Sequence, residues 1–366
     1  VPRDLSIAYF ISPHGYGHAA RAAGVMEAVY QLHPDMYFEI FTTVPLWFFD
    51  DSLSGSFGYH SFLTDIGLAQ RTPLHADISE TVKRLNHFLP FDSSKIRGLA
   101  KRIKKLKCVL VICDIAPMGI AVAGEAGIPS LLIENFTWDW IYQRYAEQDG
   151  RIGDHISYLK RVFNAADFRI QTEPICDPCS ADLTTFPVSR KMKTPAHEIR
   201  KQLGIPEDAQ VVLITMGGIE EKYNFLEKLA AKRDVRFVIP GSSKQVKIDG
   251  NLVLLPHRSG YFHPDLANAS NAVIGKVGYS TLAEIYYAGV PFGYVARSRF
   301  RESQQLVSFI EGKMPGLPIS GDQFYSGGWL SSLPDLLALP RINREDPRGA
   351  EQVARFVVDL ISSTSV

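Results

Sequence analysis

Near the start of the chain, Ser12-Pro13-His14-Gly15-Tyr16-Gly17-His18-Ala19-Ala20-Arg21 gathers two histidines, two glycines and an arginine. An apolar run at 7–11 leads into this segment and a helical pattern leaves it. Glycines at a strand-to-helix turn let a ligand approach the backbone, and the helix amino end favours an anion. His18 has the chemistry of a base near neutral pH, since an imidazole titrates at about 6.5. Its plainer role is a helix-start histidine bonded to backbone. Gly15-x-Gly17-x-x-Ala20 fits a loose dinucleotide fingerprint, but the acid that should end the second strand and hold a ribose is replaced by Phe41, Thr42, Thr43 and Val44. A nicotinamide dehydrogenase is therefore not expected, and without a G-x-x-x-x-G-K-[ST] run neither is a P-loop nucleotidase.

A second glycine turn, Gly275-Lys276-Val277-Gly278-Tyr279-Ser280-Thr281-Leu282-Ala283-Glu284, also lies between a strand and a helix. Lys276 suits a diphosphate there, or is a surface cation. Thr281-x-x-Glu284 has the form of a capping box, which would satisfy free helix amides without any ligand. Gly217-Gly218, after the run at 211–215, makes a third turn able to meet phosphate. Asp114 and the stretch Asn135 to Tyr142, with Trp138, Asp139 and Trp140, follow strand ends, where open α/β sheets hold their ligands. The tryptophans would equally serve as core. Cys176-Asp177-Pro178-Cys179 has no second ligand pair, and Cys108 and Cys113 flank a buried strand, so both pairs read as inert thiols and no metal site is expected. No Asp-x-Asp metal site occurs either.

These groups must be positioned by an α/β scaffold. Apolar runs at 7–11, 37–42, 109–113 and 130–133 alternate with helical stretches at 17–32 and 115–127, and a second series of runs at 211–215, 235–239, 252–255, 272–274 and 292–295 alternates with helices at 221–232, 280–288 and 302–312. At 366 residues the chain suits two domains, expected at 1–180 and 181–366 with a linker near 176–193. A closing helix at about 349–362, striped by Ala350, Val353, Ala354, Val357 and Leu360, is expected to pack back on the first domain. Hydrophobic residues at 46% and charged residues at 21% are globular, and no apolar run reaches the ~18 residues of a membrane span.

Lys and Arg number 39 against 39 Asp and Glu, so nothing in the net charge draws in nucleic acid. Residues 95–107 hold seven basic and no acidic side chains with an apolar helical stripe. They make either a solvated outer face or a peripheral contact with anionic lipid. Four cysteines and a start without a signal-peptide plan lead us to expect a cytoplasmic protein, with that membrane association as the further option.

With these residues in view, the chain resembles glycosyltransferases of the GT-B fold, in which two Rossmann-like doubly wound domains face each other across a cleft. It is most similar to the amino-terminal, glycosyltransferase-like half of plant-type L-arabinokinases. The resemblance runs through His14-Gly15-Tyr16-Gly17-His18-Ala19-x-Arg21, Asp114-x-x-Pro117, Asn135-Phe136-x-Trp138-Asp139-Trp140-Ile141-Tyr142, Arg200-x-x-Leu203-Gly204-Ile205 and the Gly275 to Glu284 turn. No sugar-kinase domain accompanies these motifs, so kinase activity is not implied. A more distant likeness is to the peptidoglycan N-acetylglucosaminyltransferase that completes lipid II.

The resemblance implies an acceptor held by the first domain, through His14, Gly15, Tyr16, Gly17, Arg21, Asp114, Asn135, Trp138 and Asp139, with His18 deprotonating its hydroxyl. It implies a nucleotide-sugar donor in the second domain. Gly278, Tyr279, Ser280 and Thr281 match the diphosphate turn, supported by Gly217, Gly218 and Lys276; Glu284 matches the ribose-gripping acid. Tyr261 and Phe262 fall at the base-sandwiching loop, and Gln304-Gln305 at the pair that reads sugar hydroxyls. Retaining members carry two glutamates eight positions apart, and eight beyond Glu284 stands Phe292, which favours inversion. The acid-rich pattern usual before the polar pair is replaced by Ser298-Arg299-Phe300-Arg301-Glu302, which leaves the sugar unassigned. The expectation is an inverting, metal-independent transferase using a nucleotide sugar, with UDP favoured, as substrate rather than cofactor. A sugar-nucleotide epimerase of the same fold and a non-catalytic nucleotide-sugar-binding module are the alternatives.

Overall fold

In the computed structural model, residues 6–72, 75–217, 223–297 and 300–364 are described. Two compact units divide the chain: Val1–Arg190 with Pro347–Val366, and Lys191–Asp346.

The first unit runs β1 (Ser6–Ile11), α1 (Gly17–Leu32), β2 (Tyr37–Thr42), α2 (Leu46–Ser52), β3 (Phe57–Ser61), a small hairpin of β4 (Gln70–Thr72) and β5 (His75–Ala76), α3 (Ile78–Phe88), α4 (Ser93–Lys105), β6 (Cys108–Asp114), α5 (Pro117–Ala126), β7 (Ser130–Glu134), α6 (Trp138–Gln143), α7 (Gly153–Phe163), β8 (Phe168–Thr172) and β9 (Leu183–Thr185). Its main sheet has the order β3-β2-β1-β6-β7-β8-β9, every pair parallel. Parallel strands are covered on both faces, which is why β1 and β6 are near-continuous apolar runs.

The second unit runs α8 (Ala196–Gln202), β10 (Gln210–Thr215), α9 (Leu226–Ala230), β11 (Val235–Pro240), β12 (Lys247–Asp249), β13 (Leu252–Leu255), α10 (His263–Asn268), β14 (Ala272–Lys276), α11 (Tyr279–Ala288), β15 (Phe292–Val295), α12 (Ser303–Lys313), β16 (Gly316–Ile319), α13 (Gly321–Ser326) and α14 (Leu333–Ala338). Its sheet order, β12-β13-β11-β10-β14-β15-β16, is parallel except at the β12 edge. In both units the strand order reverses beside the first strand, between β1 and β6 and between β10 and β14. Open α/β sheets bind ligands outside the strand carboxyl ends at such a reversal.

The chain leaves the first unit later than the sequence suggests. Residues 183–185 of the expected linker pair with β8 as an edge strand, and the division falls at Arg190/Lys191. The closing helix α15 (Gly349–Thr364) packs on α1 within the first unit. Ala350, Val353, Ala354 and Val357 are buried there; Ile361 takes the full burial expected of Leu360, which is only partly covered. The α1 helix is buried on most of its surface, and its run of alanines allows close approach. At Gly24 an added Cβ would stand 2.7 Å from the Ser189 carbonyl oxygen. Gly24→Ala is expected to lower stability by about 1–3 kcal/mol through overpacking, read as a shift of the urea midpoint at constant slope.

Candidate functional site

In the first unit the reactive groups gather where β1 and β6 end. Ile11 lies in register with Asp114, and the Ser12 amide donates to the Asp114 carbonyl at 3.2 Å. The glycine turn then starts α1, which carries His18 and Arg21 one turn apart. Arg21 grips Asp114 from two sides, Nε to Oδ2 at 2.8 Å and Nη2 to Oδ1 at 2.6 Å. Its Nη1 donates to Asn135 Oδ1 at 2.9 Å and to Thr172 Oγ1 at 3.3 Å, so the ends of β6, β7 and β8 share one guanidinium. Burial would raise the Asp114 carboxyl, but the Arg21 charge and the bonds from Arg21 and His18 outweigh it and hold it below the usual range. An ionised carboxylate only accepts hydrogen bonds. The 2.9 Å contact with His18 is therefore Nδ1–H donating to Asp114 Oδ1. In the neutral ring this leaves the basic lone pair on Nε2.

This arrangement changes several expected roles. Arg21 is 1% exposed, and Asp114 and Asn135 are completely buried, so they brace the site from inside rather than line a cleft. Trp138 is also core: its Nε1–H donates to Asp65 Oδ2 at 3.1 Å, and its ring meets those of His14 and His18 edge-on. Asp139 is buried with Oδ1 unpartnered and its carboxyl raised, mainly by burial, and it does not join the Arg21 cluster. His14 packs against Gly67 and accepts the Leu68 amide, bracing the loop after β3. Tyr16 caps the start of α1 and stacks on Phe48. Gly15 has φ +69°, the left-handed conformation this turn needs, and Gly17 opens the helix.

Sequence reasoning placed Asp114 but missed its partnership with His18, and it missed Asp65. Asp65 accepts from Ser12 Oγ at 3.0 Å, and burial pushes its carboxyl up to about 7. No local pattern marks either contact, because the partners lie far apart in the chain.

The second unit repeats the plan at β10 and β14. Gly275 lets β14 close on β10: a Cβ there would stand 2.2 Å from the Thr215 carbonyl oxygen. Gly217 has φ +67°, and a Cβ on it would meet Lys276 Cε at 3.0 Å and Thr281 Oγ1 at 3.9 Å, so the three converge. Gly218 lies outside the described residues. Lys276 has its ammonium pushed down to about 7, chiefly by burial and then by the Arg297 charge.

Helix α11 begins at Tyr279 with Gly278 as its cap and no side-chain cap, and Ser280 and Thr281 sit in its first turn. The capping box expected of Thr281 and Glu284 is therefore not formed. Glu284 instead reaches His263, with Nδ1 to Oε2 at 2.6 Å, and the other ring nitrogen lies 3.2 Å from Thr215 Oγ1. That hydroxyl accepts the Gly217 amide at 3.3 Å, so a line of bonds connects Glu284 to the third glycine turn. His263 was not singled out in the sequence, although His263-Pro264 opening a helix was visible.

Phe262 caps the same helix under the Lys193 ammonium, 4.8 Å from its ring centre, and Tyr261 donates its hydroxyl to the Gln202 carbonyl. Gln304 is exposed on α12. Among the described residues, Gln305 Oε1 is buried without a partner, as is Oε2 of Glu302, whose other oxygen pairs with Arg297 at 2.7 Å. Arg200, prominent in the sequence, ties α8 to the carbonyls of Glu207, Ala209 and Ala269. In the basic stretch, Ile96, Leu99, Ala100 and Ile103 of α4 are buried, so its apolar stripe belongs to the core.

Asp114 folds with its carboxyl below the unfolded value of about 3.9, so its stabilisation is complete above that pH and fades as pH falls through the folded value. Removing Arg21 leaves burial as the dominant influence and reverses the shift. Arg21→Met is expected to cost about 3–5 kcal/mol at pH 7 and much less at an acid pH below the lowered folded value of Asp114, where the carboxyl is neutral in both proteins. Equal losses in urea unfolding at the two pH values would show that the ion pair is not the source.

No protein-family model matches the chain. Among curated proteins, an L-arabinokinase of Arabidopsis thaliana is 26% identical over 362 residues, 97% of this chain and 34% of the relative. The chain thus spans about a third of that protein's length. An uncharacterized glycosyltransferase of Methanopyrus kandleri is 23% identical over 284 residues, covering 71% of this chain and 78% of the relative. Among solved structures, a spinosyn forosaminyltransferase aligns with TM-score 0.65 at 14% identity over 98% of this chain and 100% of its own. A UDP-glucosyltransferase from Polygonum tinctorium aligns at 0.62 and 15% over 97% and 98%. The calicheamicin glycosyltransferase aligns at 0.62 and 13% over 98% of each. The fold is that of the GT-B glycosyltransferases.

Proposed function

We propose that the chain is an inverting glycosyltransferase that moves a sugar from a nucleotide-sugar donor, a UDP-sugar, to a hydroxyl acceptor without a metal. The observation that carries this reading is the His18–Asp114 pair, in which a buried carboxylate fixes the ring so that Nε2 is the basic nitrogen. The acceptor binds the first unit, and its hydroxyl gives its proton to Nε2 as the oxygen attacks the anomeric carbon. One displacement then inverts that carbon.

The donor binds the second unit. The first-turn amides of α11 and the Lys276 ammonium take the negative charge that grows on the leaving diphosphate, which is the work a metal does elsewhere. Glu284, held by His263, accepts from the ribose hydroxyls. A binding module without turnover is the second reading, favoured by Arg21: it occupies both Asp114 oxygens and so weakens the carboxylate's pull on the imidazole.

His18→Ala is expected to lower sugar transfer by about 10²–10⁴-fold while donor affinity stays unchanged. Wild-type turnover in the variant would remove His18 from the chemistry, and donor binding without transfer in the wild type would favour the module. The Lys276 ammonium is pushed down to about 7, below its unfolded value, so the free site is largely neutral above that pH and must take up a proton to pair with diphosphate. UDP affinity is therefore expected to fall as pH rises from about 7 to 9, with proton uptake visible by calorimetry in buffers of different ionisation enthalpy. Lys276→Met should lose both the uptake and the slope; an unchanged slope would place the titration elsewhere.

A further inference from the structure

A cavity of about 660 Å³ opens in the first unit, lined by Pro13, Leu63, Asp65 and Phe88 and by the cations Lys83, Arg84 and Lys95. It is large enough for a small organic ligand. Its floor belongs to the reactive turn: Pro13 precedes His14, and Asp65 holds Ser12 Oγ on one oxygen and Trp138 Nε1 on the other. The same Trp138 ring abuts His18, at 6.2 Å between ring centres.

The charge on the rim is one-sided. Lys83 and Arg84 share a single carboxylate, Glu80, at 3.8 and 2.9 Å, while Lys95 follows the α4 cap Asp92. The acid on the floor offsets only part of this at neutral pH, because burial raises its carboxyl to about 7. Leu63, among the large apolar side chains left exposed, gives the wall a hydrophobic strip beside Ile66 and Phe88.

We propose that this cavity anchors an acceptor bearing a phosphate or carboxylate on an apolar body, with the anionic group at Lys83, Arg84 and Lys95 and the body along Leu63, Ile66 and Phe88. The inference rests on the transferase reading for the word acceptor, but the site itself does not need turnover to be tested. A soluble ester and a lipid headgroup present the same chemistry, and separate arms distinguish them.

Calorimetry on the full chain compares 1-naphthyl phosphate with 1-naphthol, in the wild type and in the double variant Lys83→Glu/Lys95→Glu, whose two positions are exposed. The wild type should prefer the phosphate by about tenfold at low salt, weakening as salt screens the cations, and the variant should lose that preference while its melting temperature and UDP affinity stay unchanged. Equal binding of the two probes by the wild type, or a full preference retained by the variant, would overturn the proposal. In the second arm, sedimentation with phosphatidylcholine vesicles is compared with and without phosphatidic acid. Binding only to the anionic vesicles identifies a lipid-borne group, and no binding alongside naphthyl phosphate capture identifies a soluble one. A phosphate preference in a protein that neither binds UDP nor transfers sugar would leave the cavity standing and remove the transferase.

Discussion

A guanidinium sealed inside the first unit sets the geometry of everything reactive there. Arg21 cannot be left unpaired at that depth, because a buried charge without partners costs several kcal/mol. It therefore collects Asp114 from the end of β6, Asn135 from beyond β7 and Thr172 from the end of β8. Each of those strands must end at the right level for the set to close. His18, three residues earlier on the same helix, inherits its position from that closure and takes the one edge of Asp114 left to it. The alanines and Gly24 of α1 serve the same end, since they let the helix lie close enough to bring both side chains down to the strand ends.

The two units share a plan and differ in how they handle charge. In the first, the positive group is matched internally by a carboxylate, which also fixes the orientation of the His18 ring. In the second, Arg297 pairs with one oxygen of Glu302, and Lys276 stands within reach of both charges with an ammonium weakened chiefly by burial. The same sheet topology thus carries a cation matched by a carboxylate in one unit and a cation weakened by burial in the other.

Much of the scaffold could be read from the sequence, because parallel strands covered on both faces appear as apolar runs and glycine turns mark their ends. The turn at Gly15 was legible for the same reason: a residue with φ near +69° announces itself as glycine. The meaning of Asp114 was not, since its partner lies 96 positions away and no period connects them. Local patterns also misled. Thr281 and Glu284 have the spacing of a capping box, but the helix starts at Tyr279, which carries Glu284 past the cap and toward His263. Residues 183–185, Leu-Thr-Thr, make only a three-residue edge strand, too short for a period to separate it from a linker. The aromatic run from Phe136 to Tyr142 gave no sign of which face would be buried.

The double grip of Arg21 on Asp114 decides what kind of partner that carboxylate can be to His18. A lone buried carboxylate would act on the ring through its full charge. Here Oδ1 receives both Arg21 Nη2 and His18 Nδ1, and Oδ2 receives Arg21 Nε, so the negative charge is already neutralised along its length. What the ring gains from Asp114 is direction: one tautomer, one orientation, and a basic Nε2. The same neutralisation keeps the carboxylate ionised despite complete burial, and an ionised oxygen is what obliges Nδ1 to be the donor. Orientation of His18 and retention of the charge on Asp114 are therefore two consequences of one buried pair.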